Sequence, residues 1–324
     1  MILVTGGAGY IGSHYVLYAR EHGDEVVVLD DLIYGHREAV PEGVPFLEGK
    51  TGDRALLDNL FSRYAIDAVV HFAAFTYVGE SVQEPAKYFA NNTVSTLVLL
   101  DAMRAHNIRT IVFSSTAATY GDPQYVPIDE AHPQNPINPY GESKFFVERI
   151  LKDYDTAYGL RFTALRYFNA AGADPQGRIG ESHEPETHII PIVLQVAAGK
   201  RDHVSIFGTD YDTPDGTCIR DYIHILDLAQ AHALALDRLR AGGASAFYNL
   251  GSEQGYSVKE VIQTCEQVTG RSIKSVAGPR RAGDPPRLVA SAAKAKAELG
   301  WKPQFQNLPD IVSTAWNWEQ HRRF

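Results

Sequence analysis

The chain has 324 residues, 44% hydrophobic and 21% charged, the balance of an ordinary globular enzyme with room for a main domain and a smaller lobe. Its net charge of −9 argues against a nucleic-acid surface and against anionic membranes, and leaves small, steered anionic substrates open. Cys218 and Cys265 are too few for a disulfide framework or a zinc site, and no histidine has a metal-like pairing, so no metal is expected.

Met1-Ile2-Leu3-Val4 reads as a buried strand that runs into Thr5-Gly6-Gly7-Ala8-Gly9-Tyr10-Ile11-Gly12, ahead of a helical stretch to His22. A strand starting at the first residue predicts neither signal peptide nor anchor, and no apolar run approaches the roughly 18 residues of a membrane helix. A cytoplasmic location is the expectation. A glycine cluster that follows a strand and opens a helix is a phosphate-binding turn. One glycine permits the sharp turn, another lets the backbone approach a pyrophosphate, and the last lets helix pack on strand. The second strand, Glu25 to Leu29, ends at Asp30-Asp31, where carboxylates can accept the hydroxyls of an adenosine ribose. They would repel a 2′-phosphate, and no arginine follows before Arg37, so NAD is expected rather than NADP.

Strands and helices then alternate: strand Pro45 to Leu47, helix Asp53 to Tyr64, strand Ala68 to His71, helix Pro85 to His106, strand Thr110 to Phe113. Ser114-Ser115-Thr116 follows that last strand, at the carboxyl end where ligands of open parallel sheets bind. It is either a hydroxyl-stabilised turn or a set that orients a substrate hydroxyl. Pro139, suited to a first helical position, opens a further helix and puts Tyr140 and Lys144 four residues apart on one face. A free tyrosine titrates near ~10, and bringing it to about 7 asks ~4 kcal/mol of preference for the anion. A nearby ammonium and a positive nicotinamide ring could supply that.

Strand Arg161 to Arg166 continues the alternation, which predicts an α/β, Rossmann-type doubly wound parallel sheet. Beyond Tyr167 the pattern loosens, and 173–186 and 208–216 read as long loops around a ligand. Helix Leu226 to Leu239 and strand Phe247 to Leu250 can rejoin the first domain. The expected division is an NAD-binding domain over 1–167, with segments near 220–250 rejoining it, and a smaller interleaved C-terminal substrate lobe over 168–324.

With Thr5-Gly6 to Gly12, His71-Phe72-Ala73-Ala74, Val78-Gly79-Glu80-Ser81, Ser114-Ser115-Thr116, Pro139 to Lys144 and Leu165-Arg166-Tyr167-Phe168-Asn169, the chain resembles the extended short-chain dehydrogenase/reductase superfamily. Within it the resemblance is to the UDP-glucose 4-epimerase family. It continues through Pro185 to His188, Phe207 to Tyr211, Asp215 to His224 and Pro279 to Asp284, nearly the whole chain.

The resemblance implies inversion at C4 of a UDP-sugar, UDP-glucose and UDP-galactose, with tightly bound NAD regenerated in each turnover. Tyr140 would take the 4-hydroxyl proton while hydride leaves C4, Thr116 would hold the same oxygen, and Lys144 would support the phenolate. The 4-keto sugar then turns and is reduced on its other face. By family position, Gly6, Gly9, Tyr10, Ile11, Gly12, Asp30, Asp31, Tyr34, Gly35, Lys50, Thr51, Phe72, Ala73, Ala74, Thr76, Asn91, Ser114 and Phe168 would join Tyr140 and Lys144 around NAD. Arg220 and Arg281 would hold the diphosphate, Asn169 would donate to it, Phe207 would lie by the uracil, Asp284 would take the uridine ribose, and His188 would contact substrate. His71, closing a buried strand, reads as structural.

Departures from the pattern matter too. Lys50-Thr51 stand where the family commonly has an aspartate and a bulky aliphatic residue, and an ammonium cannot accept from the adenine amino group; Lys50 can instead pair with Asp30 or Asp31. Thr76 replaces a lysine of many hexose epimerases. Leu288, at the position that tunes sugar size, is intermediate and leaves N-acetylhexosamines open, while Tyr77 to Ser81, Ala117 to Tyr120 and Pro136 to Pro139 also resemble UDP-arabinose/UDP-xylose 4-epimerases. Ala117-Ala118 occupy the places of the carboxylates used by nucleotide-sugar dehydratases and decarboxylases, which disfavours both. A non-catalytic NAD sensor on this fold usually lacks the tyrosine and lysine. Family members dimerise through the helices that begin near Pro85 and Pro139, so a homodimer is expected, with Leu97, Leu100, Met103, Phe145, Phe146 and Ile150 either at that interface or in the core.

Overall fold

Valine, isoleucine and leucine fill the first strands without alternation, the signature of strands covered on both faces. The computed structural model describes residues 1–281 and 284–324; Ala282 and Gly283 of the Pro279 to Asp284 motif lie outside the described residues. Seven parallel strands form the main sheet: β1 Ile2–Thr5, β2 Val26–Asp30, β3 Phe46–Glu48, β4 Ala68–His71, β5 Thr110–Thr116, β6 Arg161–Tyr167, and a late strand, Ala246–Leu250. Their spatial order is Ala246–Leu250, β6, β5, β4, β1, β2, β3, so the chain reverses direction across the sheet between β1 and β4. That crevice, outside the carboxyl ends of the strands, is where such sheets bind nucleotides.

Helices cover both faces. On one, Tyr15 and Val16 of helix Tyr10–Glu21 and Leu228 and Leu236 of helix Ile225–Arg240 pack on Ile2, Val4, Val28 and Leu165. On the other, Leu57, Leu99, Leu100, Met103, Val147 and Leu151 pack on Leu3, Val27, Val69 and Phe113. Leu100 and Met103 are therefore core residues, whereas Leu97 and Phe146 are exposed. A third cluster, with Ile190, Val193, Ile206, Val261, Cys265 and Ile311, lies among helices Ile189–Ala197, Val258–Thr269 and Leu308–His321.

Two elements differ from expectation. β5 does not stop at Phe113; it runs to Thr116, pairing Ser114 with Leu165, Ser115 with Arg166 and Thr116 with Tyr167. Three hydroxyl residues are tolerated in this buried strand because each is partnered: Ser114 by Tyr167, Ser115 by Glu148, and Thr116 by the Ala118 amide. The stretch from Pro85 to Ala105 is helical throughout but widens into a π-turn at Phe89–Val94. From that turn Asn92 accepts from the Phe75 amide at 2.8 Å and donates to the Phe75 carbonyl at 2.9 Å and to Ser143 Oγ at 3.0 Å. One side chain thus ties the loop after β4 to the Pro139 helix. No helix among the described residues is long and apolar enough to cross a membrane.

Candidate active site

The glycine-rich turn is closed so tightly that side chains are excluded from it. A Cβ on Gly6, whose φ is +70°, would sit 2.5 Å from the Ala73 amide nitrogen, and one on Gly12 would sit 2.0 Å from the Gly6 carbonyl. The following helix has Gly9 at its N-cap, no side-chain cap and no acidic first turn, which leaves its amide end to an anion. A crevice beside it is lined by Gly6, Gly9, Asp30, Asp31, Tyr34, Gly35, Lys50, Thr51, Phe72, Ala73, Ala74 and Asn91. A bare backbone cradle next to two carboxylates suits a pyrophosphate and a ribose, so these residues fit NAD.

Several of the expected residues behave differently within that frame. Asp30 is buried and accepts from the Ala8 and Leu32 amides, both at 2.9 Å, so it braces the turn. Asp31 is the more open carboxylate. Lys50 is exposed and makes no ion pair with Asp30 or Asp31 among the described residues, contrary to the alternative raised from sequence, because Asp30 is already satisfied by amides. Thr76 is exposed and outside the crevice lining. Tyr10 turns its hydroxyl to the Gly172 carbonyl at 2.6 Å and Ile11 packs on the core, so only their backbone faces the turn. Phe168 is half-buried between β6 and strand Asn169–Ala171. His71 is held by Thr5 Oγ1 at 2.6 Å and Thr96 Oγ1 at 2.8 Å; burial, with Lys144 adding to it, lowers the imidazole to about 3.

Pro139 opens helix Pro139–Tyr158, and Asn138 caps it by accepting from the Gly141 amide at 2.9 Å. Gly141 presses on the turn after β5: a Cβ there would lie 2.5 Å from the Ala118 carbonyl. This close approach sets Tyr140 beside Thr116, whose hydroxyl partly offsets the upward push that burial gives the phenol. Lys144 is buried and donates to the Ser114 carbonyl at 2.9 Å; burial lowers it to about 7, against a smaller upward pull from Glu148. Lys144 by itself does not bring the phenol down, because desolvation opposes charge on both groups; the sequence reading pairs it with a nicotinamide charge. Tyr140, Thr116 and Lys144 line neither crevice, standing at the ends of β5 and the Pro139 helix.

Beneath this pair is a network that the sequence did not reveal. Glu148, one turn after Lys144, takes the Arg166 guanidinium in a fork at 2.9 and 2.7 Å and the Ser115 hydroxyl at 2.6 Å. Arg166 continues to the Tyr120 hydroxyl at 2.8 Å, which reaches Asn249 at 2.7 Å. The four-residue step from Lys144 to Glu148 and an arginine inside an apolar strand were the available signals.

The expected substrate residues come together in part. Arg281 stacks over the Phe207 ring at 4.1 Å. Arg220 is ion-paired with Asp284, so these two, assigned to different parts of the ligand, hold each other. Leu288 pairs with Arg220 across two short strands, and Asn169 donates to the Asp221 carbonyl at 2.8 Å. Arg281 and Asp284 line a second crevice with 122–126 and Tyr211. His188 is elsewhere, with Glu181, His183 and Glu186. Burial works against charge on the His183 imidazole, but the carboxylates outweigh it and hold it at about 9; the same carboxylates raise His188, which is exposed.

Residues 2–251 match the NAD dependent epimerase/dehydratase family. A UDP-glucose 4-epimerase of Halalkalibacterium halodurans is 55% identical over 319 residues, 98% of this chain and 95% of that protein. The UDP-glucose 4-epimerase of Brucella ovis, solved in complex with NAD, superposes with a TM-score of 0.95 at 50% identity, covering 97% of each chain. That of Stenotrophomonas maltophila, with bound NAD and formylated UDP-arabinopyranose, gives 0.95 at 40% identity over 99% of this chain and 98% of that one. The cradle at Gly6, the paired Tyr140 and Lys144, and these likenesses along the whole length agree: the chain belongs to the NAD dependent epimerase/dehydratase family.

Proposed function

We propose that the chain inverts C4 of a UDP-sugar, interconverting UDP-glucose and UDP-galactose through a 4-keto sugar. The observation that carries this reading is the Pro139 helix pressed through Gly141 onto the end of β5, which puts the Tyr140 phenol beside the Thr116 hydroxyl with Lys144 one turn below. NAD, when bound, supplies a reversible electron-pair acceptor for C4. Tyr140 takes the proton of the 4-hydroxyl and returns it after the sugar has turned, and Thr116 orients that oxygen. Lys144, fixed on the Ser114 carbonyl, places its ammonium, when protonated, beneath the phenol.

Turning the sugar requires a firm hold on the remote nucleotide and a loose one on the reacting ring. Arg220, Arg281, Phe207, Asn169 and Asp284 serve the firm hold, the arginines through their planar fork on the diphosphate. Elimination of water from the keto sugar needs a spare acid or base. Ala117 and Ala118 offer none, and Glu148 is committed to Arg166 and Ser115. The working unit on this reading is a homodimer, in the cytoplasm, and Leu97, Val94 and Phe146, exposed on the Pro85 and Pro139 helices, are apolar side chains that such a pairing would cover. Sedimentation of Leu97→Glu/Phe146→Glu as an unchanged dimer would remove that assignment.

The test incubates purified protein with UDP-galactose and no added NAD, following UDP-glucose by NMR. Tyr140→Phe should slow conversion by about 10²–10⁴-fold while keeping bound NAD. An undiminished rate in the variant sinks the mechanism. Failure of the unaltered protein, with NAD supplied, turns the search to UDP-arabinose, UDP-xylose and N-acetylhexosamine substrates, and inactivity on all of these leaves net oxidoreduction with exchangeable NAD or NAD sensing.

A further inference from the structure

The loop between strand Asn169–Ala171 and helix Ile189–Ala197 folds four residues onto one point. One ligating atom from each of Glu181, His183, Glu186 and His188 lies within 4.8 Å of all the others. The His188 Nδ1 is 2.7 Å from Glu181 Oε1 and 3.1 Å from Glu186 Oε1, and the His183 Nδ1 is 3.2 Å from Glu181 Oε1 and 3.6 Å from Glu186 Oε2. Four ligands around a tetrahedral ion with bonds of about 2.0–2.2 Å stand roughly 3.3–3.6 Å apart, so a small adjustment accommodates one.

Hydrogen bonding is the competing account, with two imidazolium rings between two carboxylates. It leaves a residue. Glu181 is 7% exposed, yet its Oε1, like the His183 Nδ1, has no hydrogen-bond partner of acceptable geometry despite the short separations. His188 Nδ1 is hydrogen-bonded to Glu186 Oε1, but a buried carboxylate oxygen and a ring nitrogen left without a partner in the midst of four ligating atoms are costly unless a further group joins them. We infer that Glu181, His183, Glu186 and His188 are the ligands of a divalent cation of the zinc class.

The donor set selects the class. Two imidazole nitrogens disfavour calcium and magnesium, which take oxygen ligands, and two carboxylates cancel the charge of the ion. Support behind the ligands is present: Glu186 Oε1 also accepts from the Thr187 and His188 amides, at 2.7 and 2.8 Å, which fixes its carboxylate. The location gives the ion a task. The His183 ring meets the Tyr10 ring edge-on at 6.1 Å, and Tyr77 donates to the Pro185 carbonyl at 3.1 Å. A cation here would staple the loop to the start of the glycine-rich helix and to the segment after β4, fixing the wall between cofactor and sugar. His188 would then act as a ligand through Nδ1, a different role from the direct substrate contact expected from sequence.

The test uses the full chain with its NAD. Protein stripped by chelator, supplied with zinc and dialysed against metal-free buffer should retain about one zinc per chain by elemental analysis. Cobalt(II) in its place should give the intense visible bands of a tetrahedral site. Glu181→Gln and, separately, His183→Gln should each lower retained zinc at least tenfold with far-ultraviolet dichroism and NAD content unchanged. Retention below about a tenth of an equivalent by the unaltered chain, or cobalt bands of an octahedral ion, overturns the inference without touching the epimerase assignment. So does zinc retained equally by either folded variant. The cobalt spectrum is read on the unaltered chain, so the outcome stands even if a variant fails to fold.

Discussion

The crevice beside the glycine-rich turn and the crevice around Arg281 are built from different materials. Around Gly6 the walls are backbone, with turn, strand ends and the Asp30 brace leaving no room for a Cβ. Around Arg281 the walls are side chains, and several of the charged ones already have partners: Asp284 is held by Arg220, Arg280 by Asp210, and Arg281 lies over Phe207. A backbone site is set before any ligand arrives, which suits a cofactor retained through many turnovers. A site of paired side chains must exchange its contacts for the ligand's, which suits a nucleotide that enters and leaves.

The sharpest way to break this contrast is Gly6→Ala. Its left-handed backbone costs an L-residue ~1–3 kcal/mol, and the Cβ clash with Ala73 adds to that. Loss of bound NAD and a lowered unfolding temperature are expected; a variant that purifies with a full complement of NAD would show that the cradle is not rigid. On the substrate side, Asp284→Ala should act more mildly. The KM for UDP-galactose should rise about tenfold with kcat nearly unchanged, since a contact made equally in ground and transition states is removed. A fall in kcat at constant KM would place Asp284 in the chemistry instead.

The smallest effect concerns Lys144. Burial lowers it to about 7 from a usual 10.5, with Glu148 pulling the other way. Below about 7 folded and unfolded chains both hold the proton and the buried ammonium is a full penalty; between about 7 and 10.5 the unfolded chain binds more protons, so stability rises with pH. Unfolding temperatures at about pH 6.5 and 9 should therefore show a gain that Lys144→Met reduces. An identical gain in both proteins would mean that the lysine is not desolvated.

Backbone devices were the ones the sequence made legible. A glycine turn between a strand and a helix has a local signature, and so does a proline followed by Tyr-x-x-x-Lys. Contacts between distant side chains have none. Ser114 to Thr116 read as lying beyond the strand, either a turn or a set of substrate-orienting hydroxyls, because polarity normally ends a buried strand; the partners Tyr167, Glu148 and the Ala118 amide explain why the strand continues. Asn92 was one of two adjacent asparagines, and nothing local says that it reaches Phe75. His183 and His188 fit no helical or strand spacing, so their meeting through the loop was invisible, as was the pairing of Arg220 with Asp284 across 64 positions.

The last strand of the main sheet, Ala246–Leu250, pairs with β6, roughly eighty residues upstream, and at about 5–20 residues per second the ribosome needs several seconds to deliver it. During that interval β6 is an unpaired edge carrying Phe162, Ala164 and Leu165, open to any other nascent strand. Yield in a cell should therefore respond to chaperone supply and translation speed more than the stability of the finished protein would suggest.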